Sequence, residues 1–132
     1  MKYVTFSTSG EAARVGVLLG DGRRVADLAH PAHAPLLAAL GGSPRSLRAM
    51  LESGLERWTT ALQGVAFHPD ACHTLNDVHL HAPIPRPEKI VGAAYNFTDA
   101  LAERQMAHPP EPVIFVRSGR TAIGPFDAVP IP

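Results

Sequence analysis

The first 28 residues alternate between apolar and polar positions in three short runs. Residues 2–7 change side-chain character at every step, which is the period of two that a β-strand requires. Residues 14–19 and 23–28 are two further apolar runs. Between them lies Gly20-Asp21-Gly22, with the glycines and the Asp-Gly step that favour a tight hairpin turn. The pattern predicts a small antiparallel meander over residues 2–28.

The middle of the chain has the spacing of three to four residues that is typical of an amphipathic helix. Ser43 is a good N-cap, and Pro44 suits the first helical position, where no amide partner is needed. The apolar positions that follow at helical spacing are Leu47, Met50, Leu51, Leu55, Trp58 and Leu62. We predict one helix that ends before Gly64 and packs this stripe into the core. A shorter helix is predicted over residues 34–40.

The last 50 residues are rich in proline, so the pattern predicts short extended segments rather than long helices. Strands are predicted over residues 89–94, 112–117 and 128–131. Residues 97–107 are predicted to form a helix capped by Asn96 and closed by the prolines that follow it.

Composition narrows the range of partners. Twelve basic and twelve acidic residues cancel, so no net charge attracts nucleic acid or an anionic membrane. The N-terminus lacks the apolar block of a signal peptide, and no apolar run is long enough to span a bilayer. We therefore predict a cytoplasmic protein without nucleic-acid or membrane partners. Cys72 is the only cysteine, which excludes an intramolecular disulfide and favours an inert thiol.

Four histidines follow the predicted long helix, at positions 68, 73, 79 and 81. His79 and His81 are two residues apart on a probable strand, so both imidazoles should lie on one face. The sequence places no carboxylate or thiol beside them, and a transition-metal site would need such a ligand. Solvent-facing histidines are favoured over a metal site.

Three segments of the last third resemble consecutive motifs of the fumarylacetoacetate hydrolase family. A proline-rich stretch from Ala82 to Gly92 precedes them. Tyr95-Asn96-Phe97-Thr98-Asp99 resembles the family's N-Y-x-D-H stretch, and Glu111–Arg117 resembles its E-P-V-x-F-x-K strand. Ala122–Pro132 resembles the family's x-I-G-P-x-D-x-I-x-x-P turn and strand. The order and spacing of the three segments identify the resemblance, while residues 1–64 match only loosely.

The resemblance implies an α+β chain in three parts. Residues 1–66 would be an N-terminal α/β module of meander and helices, and residues 67–82 a connector. Residues 83–132 would begin a mostly β, barrel-like catalytic domain of the family type, usually found in a homodimer. Members act on small 2-oxo or 1,3-dioxo carboxylic acids by hydrolysis, decarboxylation, hydration or isomerisation. A divalent cation, commonly Mg²⁺, is held by a Glu-x-Glu pair and a later Asp. These ligands are expected beyond Pro132, so we assign no metal ligand to this chain.

The resemblance also suggests site residues. In hydrolytic relatives a His and a Glu three residues later share a helix face, and the carboxylate orients the imidazole as a base. Here the Glu position is Glu103, but the His position is Ala100, which cannot accept a proton. Asn96 and Arg117 are expected to bind substrate, with Arg117 replacing the family's Lys. A solvated carboxylate at Glu103 and a surface arginine at Arg117 are the alternatives.

Three functions therefore remain open. In the first, the chain is part of an enzyme of 2-oxo acid metabolism, and the missing His favours isomerase, tautomerase or decarboxylase chemistry over hydrolysis. In the second, it is a non-catalytic remnant or an assembly module. In the third, it binds small carboxylates without turnover, through Arg117 and backbone amides. The 132-residue chain by itself is expected to be inactive in every case.

Overall fold

The computed structural model describes residues 1–131, and its α+β class agrees with the class expected from the sequence. The strands are β1 (Lys2–Ser7), β2 (Arg14–Leu18), β3 (Arg24–Asp27), β4 (Cys72–Thr74), β5 (His79–Leu80), β6 (Lys89–Ala94) and β7 (Val113–Ser118). The α-helices are α1 (Ala34–Leu37), α2 (Leu47–Glu52), α3 (Leu55–Leu62) and α4 (Thr98–Glu103). Short 3₁₀ turns connect several of them. The described residues include no helix long and apolar enough to cross a bilayer.

The chain divides into two compact units. The first, which we call the sheet unit, comprises Met1–Pro85 and the described residues from Ile123 onward. The second, the hairpin unit, comprises Arg86–Ala122. The sequence-based boundaries at residues 66 and 82 remain predictions.

The sheet unit contains a five-stranded antiparallel sheet in the order β4-β3-β2-β1-β5. The first three strands form the predicted meander, because alternating side chains and the turn at residues 20–22 fix their register. Residues 67–82, predicted to be a connector, contribute both outer strands of this sheet. β4 pairs with β3, and β5 pairs with β1.

One face of this sheet and the helices form the hydrophobic core. Its buried members are Val15, Val17, Ala26, Leu28, Leu37, Leu47, Met50, Trp58 and Leu62. Each fully buried Val, Leu or Met side chain among them contributes about 1.5–3 kcal/mol relative to an exposed one. The predicted helical stripe is thus largely a core stripe. Leu51 is the exception, since it is 48% exposed.

The long helix predicted from Pro44 onward is instead two helices, α2 and α3. The first begins later than predicted, with the Ser46 hydroxyl accepting a 3.1 Å hydrogen bond from the Ala49 amide. Gly54 separates the helices with φ 93°, a left-handed conformation that interrupts helical hydrogen bonding and that glycine adopts without strain. Trp58 Nε1 donates a 2.8 Å hydrogen bond to the Ser53 hydroxyl across this break.

The shorter predicted helix, residues 34–40, consists of α1 followed by a 3₁₀ turn and ends at Gly41, with φ 87°. His33 precedes it and is buried. Its Nδ1 lies 2.7 Å from the Asp27 carbonyl oxygen, and its Nε2 lies 3.1 Å from the His68 amide. A neutral imidazole with the proton on Nδ1 satisfies both partners, so His33 has a structural role.

The hairpin unit consists of β6 and β7, paired antiparallel from Lys89↔Ser118 to Ala94↔Val113, together with α4. The helix is shorter than the predicted residues 97–107, and Phe97 rather than Asn96 occupies its N-cap. It ends because Gln105 adopts a left-handed φ of 52°. Leu101 is its buried residue.

Residues 128–131 do not form the predicted strand. A turn closes just before them, in which the Asp127 amide donates to the Gly124 carbonyl over 3.2 Å. Pro130 offers no amide hydrogen for pairing with a neighbouring strand. Pro125 and Pro130, which belong to the segment that resembled a family motif, are thus in a turn and in irregular structure respectively.

Candidate functional site

A cavity of about 260 Å³ lies in the hairpin unit, where β6 leads into α4. It is lined by Ala94, Tyr95, Asn96, Phe97, Ala100, Leu101 and Arg104. This lining combines aromatic and aliphatic surface with one amide and one cationic side chain. Such a mixture is typical of a small-molecule site, and the volume is just below the usual range for ligand pockets.

The backbone at the start of this cavity is strained. Tyr95 has φ 56°, in the left-handed region that costs a non-glycine residue about 1–3 kcal/mol. This conformation turns the chain sharply at the end of β6. The residues after it, Asn96 and Phe97, are exposed, and Leu101 is only 2% exposed. The buried leucine fixes α4, so the cavity has one wall on a helix and another on a turn.

The structure brings two of the sequence-predicted positions together and leaves two apart from them. Asn96 and Ala100 both line the cavity. Glu103 is exposed on α4 and is not a lining residue. Arg117 is exposed on β7, with its guanidinium carbon 5.6 Å from the centroid of the Phe115 ring. The roles assigned to Asn96, Glu103 and Arg117 remain predictions.

Sequence reasoning missed Arg104, which lines the cavity at the C-cap of α4. Asn96, Ala100 and Arg104 follow one another at intervals of four residues. Asn96 precedes the N-cap Phe97, but the spacing of Ala100 and Arg104 places these two on one side of a helix, which was the signal available. The predicted helix extended to residue 107 with Arg104 near its end, so the sequence assigned Arg104 no contact with a site.

A second polar cluster lies in the sheet unit, on the sheet face opposite the helices. Arg14 Nε donates a 2.6 Å hydrogen bond to Asp27 Oδ2, and Arg14 Nη1 lies 2.6 Å from Glu11. Hydrogen bonds from the Thr8 hydroxyl and then from Arg14 lower the pKa of the Glu11 carboxyl. His73 Nε2, buried and without a hydrogen bond, lies 3.8 Å from Asp27 Oδ2. Because Arg14 already neutralises Asp27, the cluster has a structural role.

The paired histidines do have a carboxylate beside them, contrary to the expectation from the sequence. His79 Nε2 lies 3.1 Å from Asp127 Oδ1. Asp127 is 48 residues further along the chain, so local sequence gave no indication of the contact. The His79 and His81 rings meet with centroids 4.6 Å apart, and His81 Nε2 lies 2.9 Å from the Ser7 hydroxyl.

The described residues do not fit a metal centre. Residues 1–131 contain no cluster of three or more His, Cys, Asp or Glu side chains arranged to hold an ion. Cys72 is half-buried, and burial raises the pKa of its thiol, so little reactive thiolate forms near neutral pH. The divalent cation expected from the family resemblance thus has no matching donor set in this part of the chain.

Comparison with known proteins gives relatives but no matching family model. A mitochondrial oxaloacetate tautomerase of Xenopus laevis is 32% identical over the whole chain, which covers 39% of that protein. A putative hydrolase of Burkholderia ambifaria is 30% identical over the whole chain, which covers 41% of that protein. Fumarylacetoacetate hydrolase domain-containing protein 2 of Pongo abelii is 29% identical over 67% of this chain. The matched part covers 28% of the Pongo protein. The chain spans about two-fifths or less of these relatives.

Proposed function

Since this chain is related to the fumarylacetoacetate hydrolase family, we propose that it contributes to a site for keto–enol isomerisation of a small 2-oxo carboxylic acid. Hydrolysis of a carbon–carbon bond by water is the reaction that we do not expect. The observation that carries this proposal is that Ala100 lines the hairpin-unit cavity. The sequence resemblance implies that hydrolytic relatives have an imidazole base at this position.

The two reactions place different demands on that position. In isomerisation, the carbon next to the oxo group loses a proton, the electron pair forms a carbon–carbon double bond, and the carbonyl oxygen gains a proton. Neither water nor any other co-reactant is consumed. Hydrolysis needs a base to activate water, and general-base catalysis typically contributes 10²–10⁴-fold. The Ala100 methyl group cannot act as that base.

The names of two relatives support the same choice, whereas the Burkholderia relative is called a putative hydrolase. The Xenopus protein is called an oxaloacetate tautomerase, which is an isomerase of a 2-oxo dicarboxylic acid. A human relative with the same activity in its name is 29% identical over 67% of the chain. Both names include a mitochondrial location, whereas the sequence of this chain predicts the cytoplasm.

A divalent cation such as Mg²⁺ remains part of the expectation for the whole family domain. It would polarise the substrate oxygens and stabilise enolate charge. We propose that this chain contributes by binding and orienting the organic acid. By itself the 132-residue chain is expected to be inactive.

The test measures two reactions in the longest protein that the coding region encodes. Oxaloacetate tautomerisation is followed by enol absorbance, and acylpyruvate hydrolysis by product release. We expect tautomerisation without hydrolysis, and hydrolysis to rise only in Ala100→His. Residues 1–132 should catalyse neither reaction. Acylpyruvate hydrolysis by the protein with Ala100 in place, at a rate matching its tautomerisation, would contradict the proposal.

A non-catalytic assembly module is the second candidate. The observation that favours it is the apolar surface of the hairpin unit, where Val91, Ile114 and Val116 are all exposed. Apolar surface of this kind is typical of protein–protein contacts. Sedimentation of the 132-residue chain measures its self-association. Self-association of this chain, together with no catalysis by the longest protein that the coding region encodes, would favour the assembly module. The expected homodimer remains a prediction.

A further inference from the structure

Two short turns of the sheet unit begin in the same way, with a histidine followed by a proline. They are the 3₁₀ turns Pro31–His33 and Pro69–Ala71. His30 precedes the first with φ −64° and ψ 135°, and its Nδ1 accepts a 3.2 Å hydrogen bond from the amide two residues later. His68 precedes the second with φ −64° and ψ 132°, and its Nδ1 accepts the corresponding bond over 3.3 Å. Both imidazoles act as N-cap acceptors, which requires an unprotonated Nδ1.

His33 links these two turns. It ends the first turn, is 3% exposed, and its Nε2 lies 3.1 Å from the amide nitrogen of His68. Its Nδ1 lies 2.7 Å from the Asp27 carbonyl oxygen, so Nδ1 carries the proton and Nε2 accepts from the His68 amide. The ring also packs edge-on against Phe67, with centroids 5.4 Å apart. Both nitrogens of this buried imidazole are therefore occupied, and only the neutral ring satisfies both partners.

The second turn leads directly into β4, the edge strand of the five-stranded sheet. β4 has only three residues and pairs with β3 on one side. A strand this short has few ladder hydrogen bonds, so its attachment depends on how the residues before it are held. Those residues are held by the buried Ala71 and by the bond from the His68 amide to the His33 ring.

We propose that His33 is an acid-sensitive link, which holds residues 67–74 against the sheet at neutral pH and loosens them when its imidazole is protonated. A proton on Nε2 would point at the His68 N–H group, so a buried donor would have no acceptor. That cost is relieved when the segment moves away and water reaches the ring. Histidine changes its charge between about pH 5 and 8. Because the loosened state binds more protons, the attachment is strongest at high pH and weakens as the pH falls through this range.

The histidines at the two N-caps respond less strongly than His33. His68 Nδ1 lies 3.7 Å from Asp70 Oδ2, so a protonated His68 gains an ion-pair partner as it loses its cap. The His30 ring lies 6.4 Å from the His33 ring and is partly exposed, so water can replace its bond. Burial distinguishes His33 from both.

The titratable groups of β3 and β4 do not reproduce the effect of His33. His73 Nε2 lies 3.8 Å from Asp27 Oδ2, so protonation of His73 would hold β4 in place. The Asp27 carboxylate is already bound by Arg14. Burial raises the pKa of the Cys72 thiol, so this group stays uncharged in the same pH range. The inference concerns the sheet unit and does not depend on the proposed reaction.

The test follows the ring nitrogens and the His68 amide in the complete 132-residue chain. At pH 7.5, long-range ¹H–¹⁵N spectra should show the proton on Nδ1 of His33 but on Nε2 of His30 and His68. Hydrogen exchange of the His68 amide, corrected for its intrinsic rate, should lose protection by about tenfold to a hundredfold between pH 7.5 and 5.5. Amides of β1 and β2 should keep their protection over this range.

Two variants separate the link from its neighbours. His33→Gln keeps an oxygen acceptor near the position of Nε2 but cannot be protonated in this pH range, so protection of the His68 amide should change by less than about twofold. His73→Gln is the matched control, because it removes a histidine from the same segment and leaves the link intact. It should show at least the loss of protection seen in the parent chain.

A loss of protection in His33→Gln as large as in the parent chain would overturn the inference. So would absence of the loss in His73→Gln, since β4 itself would then be the sensor. A proton on Nε2 of His33 at pH 7.5 would also overturn it. That last measurement uses the parent chain alone, so it remains decisive if His33→Gln does not fold.

Discussion

The sheet unit and the hairpin unit are both built on antiparallel strands, yet they differ in what those strands bury. In the sheet unit, side chains of β2 and β3 lie under helices and are almost inaccessible. In the hairpin unit every residue of β7 is exposed, and Val116 is 65% exposed. A two-stranded hairpin is only marginally stable without such cover. Stability therefore resides in the sheet unit, while the hairpin unit offers the polar and apolar groups available for binding.

Two glycines show the same contrast at single positions. A Cβ on Gly16 would lie 2.4 Å from Val25 Cγ1 and 2.8 Å from Phe6 Cε1, and both neighbours are fully buried. A Cβ on Gly92 would lie 2.4 Å from Phe115 Cζ, but the Phe115 ring is 41% exposed. The added Cβ would thus come equally close to a side chain at both glycines. The exposed Phe115 ring can move away from it, whereas the buried Val25 and Phe6 side chains cannot.

The largest expected difference comes from truncating a core side chain. Leu37 is fully buried, so Leu37→Ala should lower the free energy of unfolding by about 2–5 kcal/mol. Val116→Ala, in the hairpin unit, should change it by less than about 0.5 kcal/mol. Urea unfolding followed by Trp58 fluorescence measures both. Comparable losses in the two variants would mean that the hairpin unit shares the stability of the core.

A smaller difference is expected from adding a methyl group at the two glycines. Gly16→Ala should destabilise by about 1–3 kcal/mol, since buried neighbours must move. Gly92→Ala should cost less than about 1 kcal/mol, because the exposed Phe115 ring can rotate away. Thermal unfolding of the two variants gives the comparison. A larger loss of stability in Gly92→Ala than in Gly16→Ala would contradict this prediction.

The smallest expected effect is on the stability of the folded chain at acid pH. Thr8 and Arg14 lower the pKa of Glu11 below its ordinary value of 4.5. A lowered carboxyl pKa in the folded state adds stability above the unfolded pKa, and that stability is lost as the pH falls through the folded value. Glu11→Gln should therefore reduce stability slightly at neutral pH and flatten its dependence between pH 5 and 3. Glu103→Gln, an exposed carboxylate of the hairpin unit, is the control and should leave the acid unfolding curve unchanged.

The sequence predicted local structure well wherever a pattern and a turn agreed. Alternation and Gly20-Asp21-Gly22 were enough for the meander, because both specify one register. The break at Gly54 was missed, since an apolar stripe continues across a glycine whether or not the helix does. The contact between His79 and Asp127 is not local, so no spacing could indicate it. Arg104 became a candidate only when the end of α4 and the cavity beside it were known.

Hydrogen exchange of the whole chain, with and without oxalate as a stand-in for a small 2-oxo carboxylic acid, tests the central claim that one unit provides stability and the other the proposed binding site. Amides of β1–β3 should be at least about a hundredfold better protected than those of β6 and β7, because exchange in a poorly covered hairpin needs only local opening. Oxalate should slow exchange at residues 94–104 and leave β1–β3 unchanged. Equal protection of the two sheets, or oxalate-dependent protection confined to the sheet unit, would contradict the account.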